Sequence, residues 1–186
     1  MKKEYCAWLN LKNKDYVKYH DKEWGRPLKN SQKLFELLCL EGMQAGLSWE
    51  TVLKKRENYR KLFFDFDPLK MSRMTDRALE KRLLDPGIIR NRLKVYALRQ
   101  NARAYLNLSD EQSFSKYIWS FVEHKPIVNR PKNSKAIPTS TKISDTMSKD
   151  LNKRGFTFVG STICYAFMQA AGLVDDHTTN CWRKHK

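Results

Sequence analysis

The chain has 186 residues with Lys+Arg 36 against Asp+Glu 20, a formal net charge of +16, which excludes an acidic scaffold and points to a polyanionic partner. Hydrophobic residues at 41%, aromatics at 12% and a mean hydropathy of -0.69 exclude a disordered or fibrous chain, and a chain of this length buries roughly 70% of its unfolded surface. No apolar run reaches a membrane span, and Met1-Lys-Lys-Glu-Tyr-Cys-Ala-Trp has no signal-peptide core, so a cytoplasmic location with cysteines as thiols is expected.

Only 7 Gly and 6 Pro interrupt the chain and apolar positions recur at three and four, which reads as an all-α fold. Ser31 is placed as the cap of a helix running to about Gln44. Ser48 caps a second one that begins at Trp49 and carries Val52, Leu53 and Tyr59, across the link Ala45-Gly46-Leu47. Asp67-Pro68 and Thr75 open two brief helices, the second stopped at Leu84-Asp85-Pro86-Gly87, and a longer helix follows from Ile88 to about Leu106. Ser109 and Gln112 have capping-box spacing, which sets a helix over Glu111 to about Val122. The stretch 124–142 holds three prolines and little periodicity and reads as a long loop, mobile or functional. Ser144 is expected to cap a helix that Gly155 ends, and a last helix spans about Thr162 to Gly172.

Three groups of residues carry candidate chemistry. Cys6 and His20 near the start and His177 and Cys181 near the finish are types that hold a borderline-soft cation, and on a helix His177 and Cys181 would share one face. They form either a metal clip between the two ends or four unrelated polar residues. Cys39 and Cys164 sit in apolar surroundings and read as small buried hydrophobes. Glu41 follows Leu34, Leu37 and Leu38 on the apolar stripe of its helix, so its carboxylate points inward. It either pairs with an arginine or faces a ligand in a pocket walled by Trp8, Tyr16, Tyr19, Trp24 and Trp49. Arg92, Arg99 and Arg103 align on one side of the helix after Gly87, and with the overall charge they read as a phosphate-contacting stripe. The turn from Asp85 to Arg90 is expected to aim backbone N–H groups at a phosphate.

Longer stretches carry a family resemblance: Cys6-Ala-Trp, Tyr19-His-Asp-Lys-Glu-Trp-Gly, Leu40-Glu-Gly-Met-Gln-Ala-Gly-Leu-Ser-Trp, Gly87-Ile-Ile-Arg, Ile118-Trp-Ser-Phe-Val, Arg154-Gly-Phe-Thr-Phe-Val-Gly and Asp176-His. Together they resemble the bacterial 3-methyladenine DNA glycosylases of the first type, over nearly the whole chain. The chain departs from that pattern in a longer Cys6–His20 spacer, in Met43 where Gln is expected, and in the tail Thr178-Thr-Asn-Cys-Trp. The resemblance implies a helix-hairpin-helix glycosylase fold in which residues 1–186 form one unit, with two helical subdomains around a cleft and the hairpin element at about 76–106. It implies structural zinc on Cys6, His20, His177 and Cys181. Glu41 would read the base and serve as the catalytic candidate, with Tyr16, Tyr19, Trp49 and Trp8 around it. Gln44, Gly46 and Leu47 would fill the gap left in the duplex, Leu47 as the plug, while Gly87, Ile88, Ile89, Arg90 and Arg92 hold the backbone.

The implied activity is hydrolysis of the N-glycosidic bond of 3-methyladenine in double-stranded DNA. It releases the free base, with no strand cleavage because Asn91 stands where lyase relatives place a lysine. Asp110 lies near the position of those relatives' catalytic aspartate but reads as a first-turn helix residue. A monomer is expected, with no membrane partner. Excision of a different lesion, such as 7-methylguanine or an oxidised base, is one competing reading, and a non-catalytic zinc-stabilised DNA-binding module is another.

Overall fold

The computed structural model describes residues 3–185, the side chain of His185 excepted. α1 (Lys14–Lys22) starts where the Asn13 side chain accepts from the N–H groups of Asp15 and Tyr16. It was not legible in the sequence, because only Tyr19 and His20 of its residues are buried and no apolar stripe marks it. α2 (Ser31–Gln44) is capped by Asn30, one residue before the expected Ser31. Ser31 instead accepts from the N–H of Ser115 at 3.1 Å. α3 (Trp49–Leu62), α4 (Pro68–Ser72) and α5 (Asp76–Leu83) are capped by Ser48, Asp67 and Thr75, as expected.

α6 (Arg92–Ser109) begins four residues later than the sequence suggested, because the Asn91 side chain accepts from the Lys94 N–H and defines the start there. Its far end overturns the capping box assigned to Ser109 and Gln112. Ser109 is the last helical residue, with Oγ donating to the Tyr105 carbonyl at 2.8 Å. The next helix, α7 (Phe114–Ser120), is capped by Ser113. Asp110 therefore closes α6 at its carbonyl end and does not complement a helix start. α8 (Lys142–Lys153) is capped by Thr141, and Ser144, expected as the cap, is the reciprocal partner of a capping box.

The stretch 124–142 is tied down rather than featureless. β1 (Ile127–Val128) pairs in parallel with β2 (Val174–Asp175), and a 3-10 turn covers Ser134–Ala136. Among the described residues the architecture is mostly helical, as expected, with one short strand pair added. No helix of the described residues is long and apolar enough to cross a membrane.

The centre of the molecule is α2, which packs on α3, α6, α7 and the last α-helix, α9 (Ser161–Ala170). Every residue from Leu34 to Met43 is buried, so the helix is surrounded on all sides. One continuous apolar cluster, including Phe35, Val95, Trp119, Met147 and Phe167, runs around it from Cys6 to Cys181. Burial of α2 from Leu34 to Met43 makes its two carboxylates, Glu36 and Glu41, interior groups.

After α9 the chain turns at Gly172, with φ +69, against the backbone of Arg26; a Cβ there would lie 2.1 Å from the Arg26 carbonyl carbon. Both the positive φ and the contact require glycine. Gly172→Ala is expected to lower unfolding free energy by more than about 2 kcal/mol, as measured by urea denaturation; a change within experimental error would show that the turn can move aside.

Candidate active site

Of the two carboxylates on α2, Glu36 is answered: Arg60 Nε donates to it at 2.7 Å and Lys33 Nζ lies 3.2 Å away. Glu41, five residues on, is 2% exposed and its Oε2 has no hydrogen-bond partner. No ion pair reaches it among the described residues, which removes the reading of Glu41 as an arginine partner. Burial alone pushes its carboxyl from the ordinary 4.5 up to about 8.

Glu41 lines a cavity of about 300 Å³ together with Trp8, Tyr16, Tyr19, Trp24, Gln44 and Trp49. The rings form a connected cage. Trp8 and Tyr16 have centroids 5.4 Å apart, Tyr16 and Tyr19 stack at 6.3 Å, Tyr19 and Trp49 lie at 5.4 Å, and Trp24 meets Trp8 edge-on at 4.9 Å. Two more lining groups are buried without a partner, the Trp49 indole N–H and the Ser134 hydroxyl. A small aromatic cavity with one carboxyl, one N–H donor and one hydroxyl unsatisfied is built for a flat, hydrogen-bonding guest. The structure thus brings together Glu41, Tyr16, Tyr19, Trp49 and Trp8, with Gln44 beside them.

Sequence reasoning missed Ser134, Ile137, Ala166 and Gln169, which complete the lining. Only the proline-rich character of 124–142 pointed toward the first two. Ala166 and Gln169 sit on α9, where nothing in the pattern separates a cavity wall from ordinary packing.

The two ends of the chain meet beside this cage. Ligand atoms of Cys6, His20 and Cys181 lie within 4.8 Å of one another, all buried, and the Trp182 N–H donates to the Glu4 carbonyl at 2.9 Å. His177 is not held on a common helical face with Cys181, since 176–181 is not helical. Its ring nevertheless lies 5.0 Å from that of His20, and its buried Nε2 has no partner. Each histidine has its Nδ1 on a carboxylate, Asp21 at 2.9 Å for His20 and Asp175 at 2.8 Å for His177. The Cys181 thiol is held down to about 4, first by a hydrogen bond with Cys6 and then by His20, whereas Cys6 is pushed up. Cys39 and Cys164 are buried thiols away from this group, as expected.

The turn between α5 and α6 differs from expectation in detail. Ile88 is 2% exposed and belongs to the core. The N–H groups of Gly87, Ile88 and Ile89 bond internally, to Asp85 Oδ1 at 2.6 Å, the Asp85 carbonyl at 3.4 Å and the Tyr59 hydroxyl at 3.0 Å. Those of Arg90, Arg92 and Leu93 have no partner among the described residues, so the donors available to an anion sit at the start of α6. Arg99 is no phosphate comb: it pairs with Asp76 at 2.7 Å and donates to the Met74 carbonyl at 2.8 Å. Arg103 donates to the Ser72 carbonyl at 3.2 Å. Arg92 is exposed beside Glu80. Leu47 is 43% exposed and Gly46, at φ +75, is open to solvent.

A family model described as methyladenine glycosylase matches residues 8–184. DNA-3-methyladenine glycosylase 1 of Escherichia coli (strain K12) is 54% identical over 179 residues, covering 96% of this chain and 95% of that protein. A crystal structure of 3-methyladenine DNA glycosylase I superposes with a TM-score of 0.94 at 51% identity, over 96% of this chain and 98% of the other. A tyrosine-to-phenylalanine variant of 3-methyladenine DNA glycosylase I, solved in complex with 3-methyladenine, superposes at 0.93 with 39% identity over 97% of both chains. With the match spanning nearly its full length, the chain belongs to the methyladenine glycosylase family.

Proposed function

We propose that this chain is a DNA repair glycosylase that excises 3-methyladenine from alkylated duplex DNA, and that Glu41 in its aromatic cage is the base-reading group. The observation that carries this reading is the buried carboxyl with no partner. A DNA-binding module without chemistry would leave its burial cost unexplained. Relatives named for this activity, and a relative solved with the base bound, support it.

A base inside a duplex is out of reach, so the nucleotide swings out, at lower cost for a damaged and poorly paired base. Methylation at N3 makes the nucleotide's purine cationic. The electron-rich ring faces of Trp8, Tyr16, Tyr19 and Trp49 attract such a guest, and its charge favours the ionised form of Glu41, whose proton leaves to solvent, so that the carboxylate becomes a counter-ion. Uncharged adenine offers no such return for entering the cage. When the C1′–N9 bond breaks, its electron pair goes to N9 and neutralises the purine; water then bonds to C1′ and loses a proton. The leaving group is good by itself, so discrimination comes from the cavity's electrostatics. We place the Gln44–Leu47 segment in the emptied stack, with Leu47 as the plug, and the α5–turn–α6 hairpin on the backbone through Arg90, Arg92 and the free N–H groups that begin α6. On this reading residues 1–186 work as one unit, a monomer of two helical subdomains around the cleft, in the cytoplasm with its DNA.

We also read the buried cluster at the chain ends as a structural zinc site on Cys6, His20 and Cys181, with His177 as fourth ligand. The donors fit: two thiols, one poised to ionise, and two imidazoles whose Nδ1 atoms rest on carboxylates, the usual outer shell of a zinc-binding histidine. The metal's contribution there is to the fold alone. His20 lies 5.4 Å from Trp8, so the clip also steadies a wall of the cage.

Glu41→Gln is expected to weaken free 3-methyladenine binding by about ten- to a hundredfold, while affinity for undamaged duplex stays within about twofold. Calorimetry with the base and fluorescence anisotropy with DNA separate the two; equal losses would remove Glu41 from the base site. Metal analysis of the purified protein is expected to find one zinc per chain. His177→Ala should reduce that content and lower Tm by about 10 °C, whereas full metal retention would exclude His177 as a ligand.

A further inference from the structure

Lys94 is a lysine on the inside of the molecule. It is the third residue of α6, 5% exposed, and its Nζ donates to the Met43 carbonyl at 2.9 Å and the Ala45 carbonyl at 2.5 Å. These oxygens belong to the last turn and cap of α2, the negative end of its dipole, and α2 has no basic residue of its own in that turn. The neutralising charge comes from another element. Immediately beyond the two carbonyls the chain passes through Gly46 at φ +75 to Leu47, whose N–H bonds back to the Gln44 carbonyl at 2.6 Å. The segment is therefore rigid at its root and exposed at its tip.

Burying an ammonium is costly unless its donors are answered. A glycine in the left-handed region already suffices to end a helix. The lysine stands directly after the turn 84–91, its own N–H held by the Asn91 side chain at 3.1 Å. We propose that Lys94 is a positioning residue that ties the plug segment to the root of the DNA-gripping hairpin, so that seating the hairpin on the backbone sets where Leu47 enters the duplex. This rests on the reading of Leu47 as the plug. Lys94 touches neither the base nor the phosphates; it acts through the carbonyls of Met43 and Ala45.

The test is a double-mutant cycle of Lys94→Met and Leu47→Ala, read by single-turnover release of 3-methyladenine from methylated duplex and from the same strand alone, where no gap has to be filled. Lys94→Met is expected to slow release from duplex about ten- to a hundredfold, the loss of charge-assisted hydrogen bonds, with release from single strand and binding of free base changed less than about twofold. The double variant should be no slower on duplex than Leu47→Ala, because both remove one function. Lys94→Arg should restore much of the duplex rate. Should Lys94→Met fold poorly, Lys94→Gln, with one amide donor pair, enters the same cycle. Equal slowing on both substrates, or additive losses in the cycle, would overturn the tie while leaving the plug intact. A Leu47→Ala variant with no duplex-specific loss would overturn the plug and the proposal with it.

Discussion

A carboxyl group held in the interior without a partner is the constraint around which the rest is arranged. Glu41 is there because α2 is enclosed on all sides, and a helix so placed has no solvent face to which a charged residue can retreat. Its neighbour Glu36 shows the ordinary remedy, an arginine and a lysine brought across from other turns. At Glu41 that remedy is missing and an aromatic cavity stands in its place. On the proposed reading the burial cost stays until a guest of positive charge arrives, and the fold stores, at one atom pair, a preference for a cationic purine over a neutral one.

The surroundings keep that preference in position. The clustered thiols and imidazoles lie against Trp8 and Trp24, so the joined ends of the chain form the back of the cage. Asp176 accepts from Tyr165, Gln169 and Asn129 at 2.6, 2.7 and 2.8 Å, tying α9 and the segment before the Ser134 turn to the C-terminal strand. The turn that follows this segment supplies Ser134 and Ile137 to the lining. Under the base-excision reading, recognition, chain-end closure and loop placement are one piece of packing, and Lys94 extends it to the segment that meets the duplex.

How much of this was legible depends on whether a residue announces itself locally. The caps at Ser48, Asp67 and Thr75 precede periodic helices and were read correctly. Ser31, Ser109 and Ser144 each had a competing side chain within a few residues, Asn30, Ser113 and Thr141, and spacing alone does not say which oxygen accepts the helix's first free N–H groups. Glu41 stood out because a charge on an apolar stripe is an anomaly visible in one dimension. Gln169 did not, since a polar residue at the edge of an apolar helix is unremarkable until the cavity is seen. Charge was the least readable property. Arg99 and Arg103 lie on the expected side of α6 yet are engaged with α4, α5 and the link between them, so a stripe of arginines reported helix packing where it resembled a phosphate footprint.

The central claim concerns the ionisation of one side chain, and infrared difference spectroscopy of the protein carrying isotope-labelled glutamate, with Glu41→Gln as the blank, reads it directly. The account predicts a carboxyl that titrates near 8 in the empty protein, protonated at neutral pH, and that loses its proton to solvent, appearing as carboxylate, when an N3-methylated purine in its cationic form fills the cavity. A Glu41 that titrates near its ordinary 4.5, or one whose carboxyl band is untouched by the bound base, would contradict it.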